Sequence, residues 1–242
     1  MRPAFPIAAA GRPVFVAHRG ASDRALENSP AAFALASADG ADMIEFDVRL
    51  SADGVPVVIH DAVTGRTAKE NLDVSRTPWA RLRRVRLKNG EPLPSLAEVL
   101  GLLRGPVPVN IESKVPGGIA AAARTIGETG GAGTVVLSSG LREECLAARS
   151  LLPAVPCGLV TGRPSASDLA FCLRHGLASI HPDHRRLSIL RLRSVLASGV
   201  PLVPYTVDDP ADAFRLIDAG AVGVFSNRAR SLREAWDRRN LR

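Results

Sequence analysis

Residues 43–61, MIEFDVRLSADGVPVVIHD, contain the main clue to the fold, because they read as two strands joined by a tight turn. Glu45 and Asp47 interrupt the most apolar part of the first strand. Side chains alternate along a strand, so these two carboxylates share one face and lie about 7 Å apart. Ionised carboxylates inside a strand are costly unless they are paired, and the spacing therefore predicts a shared cation. An edge strand with a solvated polar face is the alternative.

The turn in this stretch is expected to bring a histidine near the two carboxylates. Asp53 and Gly54, flanked by alternating apolar residues, predict a two-residue hairpin loop. In that register His60 lies opposite Asp47, whereas a bulge would shift the pairing by one residue. The hairpin therefore predicts a cluster of glutamate, aspartate and histidine side chains.

Eight short apolar runs alternate with helix-like segments along the chain. The runs cover residues 14–18, 42–48, 107–113, 134–138, 157–160, 178–181, 201–207 and 222–225. The helix-like segments cover residues 30–38, 96–103, 118–128, 142–151, 166–175, 189–197, 210–219 and 231–238. Asn28 or Ser29 directly before Pro30 is typical of a helix start.

This alternation predicts an α/β protein of the TIM (β/α)8 barrel type, in a single domain over residues 1–242. A small hairpin and loop insertion is expected after the second strand, at about residues 49–95, and it would shape the mouth of a site. An open doubly wound sheet is the alternative, but no glycine-rich nucleotide-binding motif favours it.

The polar residues fall at the C-terminal ends of the predicted strands, where such a barrel carries its chemistry. These ends hold His18 and Arg19, Glu45 and Asp47, and Glu112 and Lys114. Three carboxylates at one rim suit a hard divalent cation such as Mg²⁺ or Ca²⁺, and zinc is disfavoured because no cysteine or multi-histidine set accompanies them.

The other polar residues at this rim match the needs of phosphoryl chemistry. His18 and His60 can supply a base and an acid near neutral pH, while Arg19 and Lys114 can hold an anion beside the cation. This combination favours phosphoryl transfer from a diester over the two-carboxylate arrangement of a glycosidase.

The composition argues against several other classes of protein. Of the 242 residues, 46% are hydrophobic and 23% are charged, which is ordinary for a globular core. The net charge of +7 comes from arginines scattered along the chain without interleaved aromatic residues, so we expect no nucleic-acid partner. Three cysteines without CxxC spacing predict reduced thiols.

The hydropathy of the chain bears on its location. The N-terminal apolar run is too short for a signal peptide, and no later stretch is long enough to span a membrane. We therefore expect a cytoplasmic monomer or homodimer without stable membrane insertion.

Several short motifs resemble the signature of the glycerophosphodiester phosphodiesterase family, bacterial cytoplasmic type. They are AHRGAS at 17–22, Glu27-Asn28, and the E-x-D and HD elements of residues 43–61, in the family's order and spacing. The likeness continues weakly to VPYTVDDPADAFRLIDAGAVGVFSNR at 203–228, so it covers nearly the whole chain.

The resemblance implies a TIM barrel enzyme that hydrolyses glycerophosphodiesters, as small-molecule substrates, to glycerol 3-phosphate and an alcohol such as choline, ethanolamine or glycerol. It implies that His18 and His60 are the general acid and base, that Glu45, Asp47 and Glu112 bind the divalent cation, and that Arg19 and Lys114 contact phosphate. Glu27, Asn28 and Tyr205 are further candidates for substrate binding.

The sequence also departs from the family pattern. Tyr205 stands where tryptophan is usual, Asp208 where asparagine is usual, and Ser226-Asn227 where Thr-Asp is usual, and the stretch after Arg66 lacks the usual Thr/Gly-rich sequence. These departures bear on the choice of alcohol more than on the activity.

Two alternative functions stay open. A lysophospholipase D on the same barrel would need an apolar groove for an acyl chain, which the 4% aromatic content disfavours. A phosphodiester-binding barrel without catalysis typically lacks a histidine or carboxylate that is present here.

Overall fold

Parallel strands pair side by side into a ring in the computed structural model. The structure describes Phe5 and residues 12–105, 107–130 and 134–241. The strands are β1 (Val14–His18), β2 (Met43–Leu50), β3 (Pro56–Val58), β4 (Val109–Ser113), β5 (Val135–Ser139), β6 (Cys157–Thr161), β7 (Ser179–Pro182) and β8 (Gly223–Ser226). Neighbours follow the order β7, β6, β5, β4, β2, β1 and β8, with β3 antiparallel to β2. The predicted barrel class is confirmed. The N-terminal run considered as a signal peptide lies, apart from Phe5, outside the described residues.

The ring closes between β7 and β8 through residues 201–207, for which the sequence predicts a regular strand. This segment is extended and hydrogen-bonds on both sides, since Ile180 N donates to Pro201 O and Phe225 N donates to Pro204 O, each at 2.9 Å. Two prolines in it carry no N–H group, so the ladder is interrupted and only isolated bridges form. Residues 201–207 therefore occupy the eighth strand position of the ring, but as an irregular extended segment.

Helices cover the outside of the ring. They are α1 (Pro30–Ala38), α2 (Trp79–Leu82), α3 (Leu96–Leu102), α4 (Gly118–Thr129), α5 (Arg142–Leu151), α6 (Ala166–His175), α7 (Ile189–Ala197), α8 (Pro210–Asp218) and α9 (Ala229–Asn240). Ser29 rather than Asn28 caps α1, because its side chain accepts a hydrogen bond from Ala32 N at 3.2 Å. Within the described part of the chain, no helix is both long and apolar enough to cross a membrane.

The alternation of side chains along β2 divides them between two apolar cores. Ile44 and Phe46 pack outward, in the core between the ring and the helices. Met43 packs inward, in the smaller core that fills the ring. Glu45 and Asp47 have the same parity as Met43, so they also face inward, at the C-terminal end of the strand.

The register of the β2–β3 hairpin differs by one residue from the prediction. Val48 pairs with Val58, whereas a two-residue turn would pair it with Ile59. The expectation that His60 lies opposite Asp47 is therefore wrong, and Ile59 N instead donates to Asp47 O at 3.0 Å.

Local side-chain bonds explain this register. Ser51 N donates to Val55 O at 3.0 Å, which leaves residues 52–54 as a three-residue loop. Ser51 Oγ accepts from Val55 N at 2.9 Å and donates to Asp53 Oδ1 at 2.6 Å. Gly54 adopts the positive φ of 78° that the last position of such a loop requires.

The excursion after β3 has its own apolar cluster. Val57 and Ile59 pack in it with Leu82, Leu87 and Leu93. Val57 lies on β3 and Ile59 directly follows it, so the cluster fixes the excursion against that strand. The residues that follow β3 directly are thereby held at the rim of the ring.

Candidate active site

A cavity of about 260 Å³ opens inside the ring at the C-terminal ends of the strands. Its lining consists of His18, Arg19, Glu45, His60, Glu112, Lys114, Val160, His181, Arg185, Tyr205, Thr206 and Phe225. Most of the candidates from the sequence are in this set. Of the three others, Asp47 and Glu27 contact the lining residue Arg19 from behind, and Asn28 bonds to Asp47.

Three carboxylates form a compact cluster at the cavity. Each of Glu45, Asp47 and Glu112 offers a carboxylate oxygen, and these atoms lie within 4.8 Å of one another. The strand register explains the cluster, because Asp47 and Glu112 are directly paired neighbours on β2 and β4. Oxygen ligands at this spacing suit a hard divalent cation.

The surroundings of Glu45 provide a test of that fit. Its side chain is 1% exposed, and its Oε1 atom has no hydrogen-bond partner among the described residues. Burial, followed by the charges of Asp47 and Glu112, raises the pKa of Glu45 well above its usual range. A buried oxygen without a donor, beside two further carboxylates, fits a bound cation.

Two basic side chains hold Asp47 in its ionised form. Lys114 Nζ lies 3.0 Å from Asp47 Oδ1 and also contacts Glu112 Oε1. Arg19 Nε lies 3.1 Å from Asp47 Oδ2, in an ion-pair contact that is not a hydrogen bond. Burial opposes ionisation, but the charges of Lys114 and Arg19 outweigh it and hold the pKa of Asp47 well below its usual range.

An unusual backbone turn positions Arg19. Its φ is +59°, in the left-handed region, and Gly20 follows with a φ of +83°. A Cβ atom on Gly20 would lie 2.7 Å from the backbone carbon of Ala32, so only glycine fits there. The turn directs Arg19 N to Glu45 Oε2, to which it donates at 3.0 Å.

Glu27 and Asn28 support the site from behind. Asn28 is 4% exposed, and its Nδ2 donates to Asp47 Oδ2 at 2.8 Å. Glu27 accepts from Arg19 Nη1 at 2.7 Å and from Arg66 Nη1 at 2.6 Å. Neither residue lines the cavity. Glu27 therefore acts on the site through Arg19, and Asn28 acts on it through Asp47.

The two histidines lie at the same cavity with different partners. His18 Nε2 is 3.9 Å from Glu45 Oε2, and its Nδ1 is 2.9 Å from Asn227 Oδ1. Burial, followed by the charge of Arg19, lowers the pKa of His18 to about 4. His60 Nδ1 is 2.6 Å from Asp61 Oδ1. Because each Nδ1 atom has a partner, Nε2 is the ring atom left for chemistry.

His60 lines the same cavity as Glu45 and Glu112 despite the changed register. Arg49 Nε donates to His60 O at 2.7 Å and holds the backbone just beyond β3. The side chain of His60, 35% exposed, thus lies at the mouth of the cavity rather than on a strand rung opposite Asp47.

Sequence reasoning missed several residues of the site. His181, on β7, lies in the cavity floor with 1% exposure, and its Nε2 is 2.8 Å from Ser179 Oγ. A single histidine near a strand end carries little signal by itself. Asn227 contacts His18 across a separation of 209 residues, and no local pattern in the sequence links the two positions.

Comparison with known sequences identifies relatives over most of the chain. The family model described as the glycerophosphoryl diester phosphodiesterase family matches residues 18–231. A glycerophosphodiester phosphodiesterase from Caldanaerobacter subterraneus is 31% identical over 225 residues, covering 88% of this chain and 93% of the relative. One from Bacillus subtilis is 28% identical over 241 residues, covering 88% of this chain and 82% of the relative.

Solved structures share the fold. A phosphodiesterase from Oleispira antarctica, in complex with the product sn-glycerol-3-phosphate, superposes with a TM-score of 0.86 at 25% identity, covering 94% of this chain and 98% of the other. A glycerophosphodiester phosphodiesterase from Thermotoga maritima gives a TM-score of 0.76 at 24% identity, covering 92% of this chain and 98% of the other.

Proposed function

The chain belongs to the glycerophosphoryl diester phosphodiesterase family, and from this premise we propose that it hydrolyses glycerophosphodiesters with two histidines and a divalent cation. Membership makes it a phosphoric diester hydrolase. The products are glycerol 3-phosphate and an alcohol. The observation that carries the residue assignments is the meeting of three carboxylates, two basic side chains and two histidines at one cavity.

Glu45, Asp47 and Glu112 are the residues that hold the cation, which is Mg²⁺ or Ca²⁺. When bound, it supplies positive charge to the phosphoryl oxygens. The buried, unpartnered oxygen of Glu45 supports this assignment. Arg19 and Lys114 line the same cavity as cations and hold the phosphate of the substrate there.

His18 acts as the general base. Its Nδ1 faces an amide oxygen, so Nδ1 carries the proton and the Nε2 lone pair is free to accept one. Nε2 takes the proton from the attacking hydroxyl, which is either water or the 2-hydroxyl of the glycerol. As the new P–O bond forms, the P–O bond to the alcohol breaks. Attack by water gives glycerol 3-phosphate directly, whereas attack by the 2-hydroxyl gives a cyclic glycerol phosphate, and water then cleaves its P–O bond to the 2-oxygen to give glycerol 3-phosphate.

His60 acts as the general acid. Its Nδ1 lies 2.6 Å from Asp61 Oδ1, and this contact orients the ring with Nε2 left for the substrate. Nε2 then gives its proton to the departing alkoxide, so the alcohol leaves neutral. Arg66 Nε donates to Asp61 Oδ2 at 2.5 Å and keeps that carboxylate in place.

Glu27 and Asn28 act through Arg19 and Asp47 rather than by touching the substrate, and Tyr205 forms part of the wall that the alcohol contacts. Charged and polar side chains predominate among the described residues that line the cavity. This lining favours a small polar alcohol over the acyl chain of a lysophospholipid.

The test is a panel of substrates assayed with different cations. Glycerophosphocholine, glycerophosphoethanolamine, glycerophosphoglycerol and a lysophosphatidylcholine are incubated with Mg²⁺, Ca²⁺, Mn²⁺ or excess chelator. We expect release of glycerol 3-phosphate from the first three, lost with chelator. Release of choline and lysophosphatidic acid from the lysolipid alone would instead assign the lysophospholipase D function. Absence of turnover with every cation would contradict catalysis.

A further inference from the structure

We infer that Asp208 and Asn227 form a positioning relay that fixes the proton of His18 on Nδ1 and aims its Nε2 at the cavity. The inference rests on the proposed role of His18 as the base. Asp208 and Asn227 are positioning residues here, because they act through His18 and do not line the cavity.

The relay joins the C-terminal ends of three neighbouring strand positions in the ring. His18 ends β1, Asn227 follows β8, and Asp208 follows the irregular segment 201–207. Asn227 Nδ2 donates to Asp208 Oδ2 at 2.7 Å, and Asn227 Oδ1 is 2.9 Å from His18 Nδ1. Each link depends on the closure of the ring.

The chemistry of the three groups allows only one arrangement of protons. An ionised carboxylate only accepts hydrogen bonds, so Asp208 requires the NH₂ group of the Asn227 amide. The amide oxygen must then face His18, whose Nδ1 donates to it. Ser22 Oγ lies 3.0 Å from the same oxygen and 2.7 Å from His18 O, and its single proton can be donated to only one of them. The lone pair of His18 is consequently left on Nε2, which lies 3.9 Å from Glu45 Oε2.

Asp208 is itself fixed by other bonds. Its Oδ1 accepts from Ser226 Oγ at 2.9 Å and from Asn227 N at 2.8 Å. With two donors on Oδ1, only Oδ2 is free for the Asn227 amide. A side-chain amide at position 208 would therefore keep its oxygen at the Oδ1 site and place its NH₂ group against the NH₂ group of Asn227.

Asp208 and Asn227 are a carboxylate and an amide in direct contact, and exchanging the two residues preserves that pair. Either order keeps one carboxylate and one amide in contact, and in either order an oxygen can face His18. A reciprocal exchange is thus the natural rescue variant.

The decisive variant is Asp208→Asn. Its NH₂ group would force the Asn227 amide to turn, so that Asn227 presents NH₂ to His18 and the proton moves to Nε2. The tautomer is read from ¹H–¹⁵N spectra of the histidine rings at about pH 8, where neutral imidazole dominates. These spectra need neither cation nor substrate, and His18→Ala identifies the signals among the five histidines.

We expect the wild type to show the Nδ1–H form and Asp208→Asn to show the Nε2–H form. The kcat of Asp208→Asn should fall on the order of 100-fold, with KM changed less than about 3-fold. The double variant Asp208→Asn/Asn227→Asp should recover the Nδ1–H form and kcat to within about 10-fold of the wild type. Asp212→Asn on α8 makes the same charge change outside the relay and should alter neither quantity.

Three results would overturn the relay. They are an unchanged tautomer in Asp208→Asn, a changed tautomer with undiminished kcat, and a double variant that recovers neither quantity. If Asp208→Asn does not fold, Asn227→Ala removes the acceptor while leaving the bond of Asp208 to Ser226, and a persistent pure Nδ1–H form would contradict the proposal. Full turnover by His18→Ala would refute its role as the base, whatever the spectra show.

Discussion

Asn28 and Asp47 exchange two hydrogen bonds beneath the cavity. Asn28 Nδ2 donates to Asp47 Oδ2 at 2.8 Å, and Asp47 N donates to Asn28 Oδ1 at 3.3 Å. Asn28 makes these bonds from a left-handed backbone conformation, with a φ of +54°. The side chain of Asn28 thus positions both the carboxylate and the backbone of Asp47, a proposed ligand of the cation.

Replacing Asn28 should weaken cation binding without touching a ligand. Asn28→Gly keeps the positive φ at little strain but removes both bonds, so the affinity for Mg²⁺ should fall about 10- to 100-fold. Asn28→Ala should show the same loss of affinity and a further destabilisation of about 1 kcal/mol from backbone strain. Titration calorimetry and denaturant unfolding measure the two effects. Unchanged affinity in Asn28→Gly would show that the bonds do not orient Asp47.

Removing one carboxylate from the cluster should abolish cation-dependent stabilisation. For the wild type, Mg²⁺ at about 100 times its Kd should stabilise the fold by about 2.7 kcal/mol. Glu45→Gln should lose this gain, although its metal-free form should be at least as stable as the wild type, because a buried carboxylate among like charges is removed. Asp218→Asn, at an exposed position of α8, is the control for a lost negative charge. Equal cation-induced shifts in melting temperature for all three proteins would refute the assigned ligands.

Each histidine assigned to acid–base catalysis should be needed for turnover but not for folding. His18→Ala and His60→Ala should each lower kcat by roughly two to four orders of magnitude, the range for losing a positioned acid or base. His175→Ala, on α6 against Phe171, is the matched control and should keep wild-type turnover. The kcat values are measured by steady-state kinetics on a glycerophosphodiester. Circular dichroism checks that each variant is folded. A near-wild-type kcat in either site variant would make that histidine structural.

The wall residue Tyr205 should influence the choice of alcohol. Its ring is half-buried in the cavity lining, and its hydroxyl is a long 3.4 Å from Thr161 O. Tyr205→Trp should shift the ratios of kcat/KM among choline, ethanolamine and glycerol head groups by a few-fold to about tens-fold. Tyr205→Phe removes only the weak hydroxyl contact and should leave stability nearly unchanged. Constant substrate ratios in Tyr205→Trp, with a melting temperature lowered by several degrees, would assign Tyr205 to packing.

Acid should destabilise the fold through His181. Burial lowers the pKa of His181 to about 3, whereas an unfolded histidine titrates at about 6.5. As the pH falls below about 6.5 the unfolded state takes up a proton that the folded state does not, so this residue subtracts up to about 1.4 kcal/mol per pH unit. Denaturant unfolding of His181→Gln should show a flatter loss of stability between about pH 6 and pH 4. If the free energy of unfolding falls equally with pH in His181→Gln and in the wild type, His181 does not cause the loss of stability in acid.

The sequence by itself determined the features that depend on neighbours within a few residues. Alternation along residues 43–48 places Glu45 and Asp47 on one face, and the Ser29-Pro30 pair starts α1. Chain order then brings the strand ends to one rim, because parallel strands that alternate with helices all point the same way. The barrel class and the candidate residues of the cavity follow from such local rules.

Only the tertiary structure decided how those residues meet. The hairpin register depends on side-chain bonds of Ser51 and Asp53, which compete with the two-residue turn that Asp53-Gly54 predicts. The contact of His18 with Asn227 exists because the ring closes and makes the first and last strands neighbours. Contacts between distant positions depend on the geometry of closure, which no local pattern of residue types encodes.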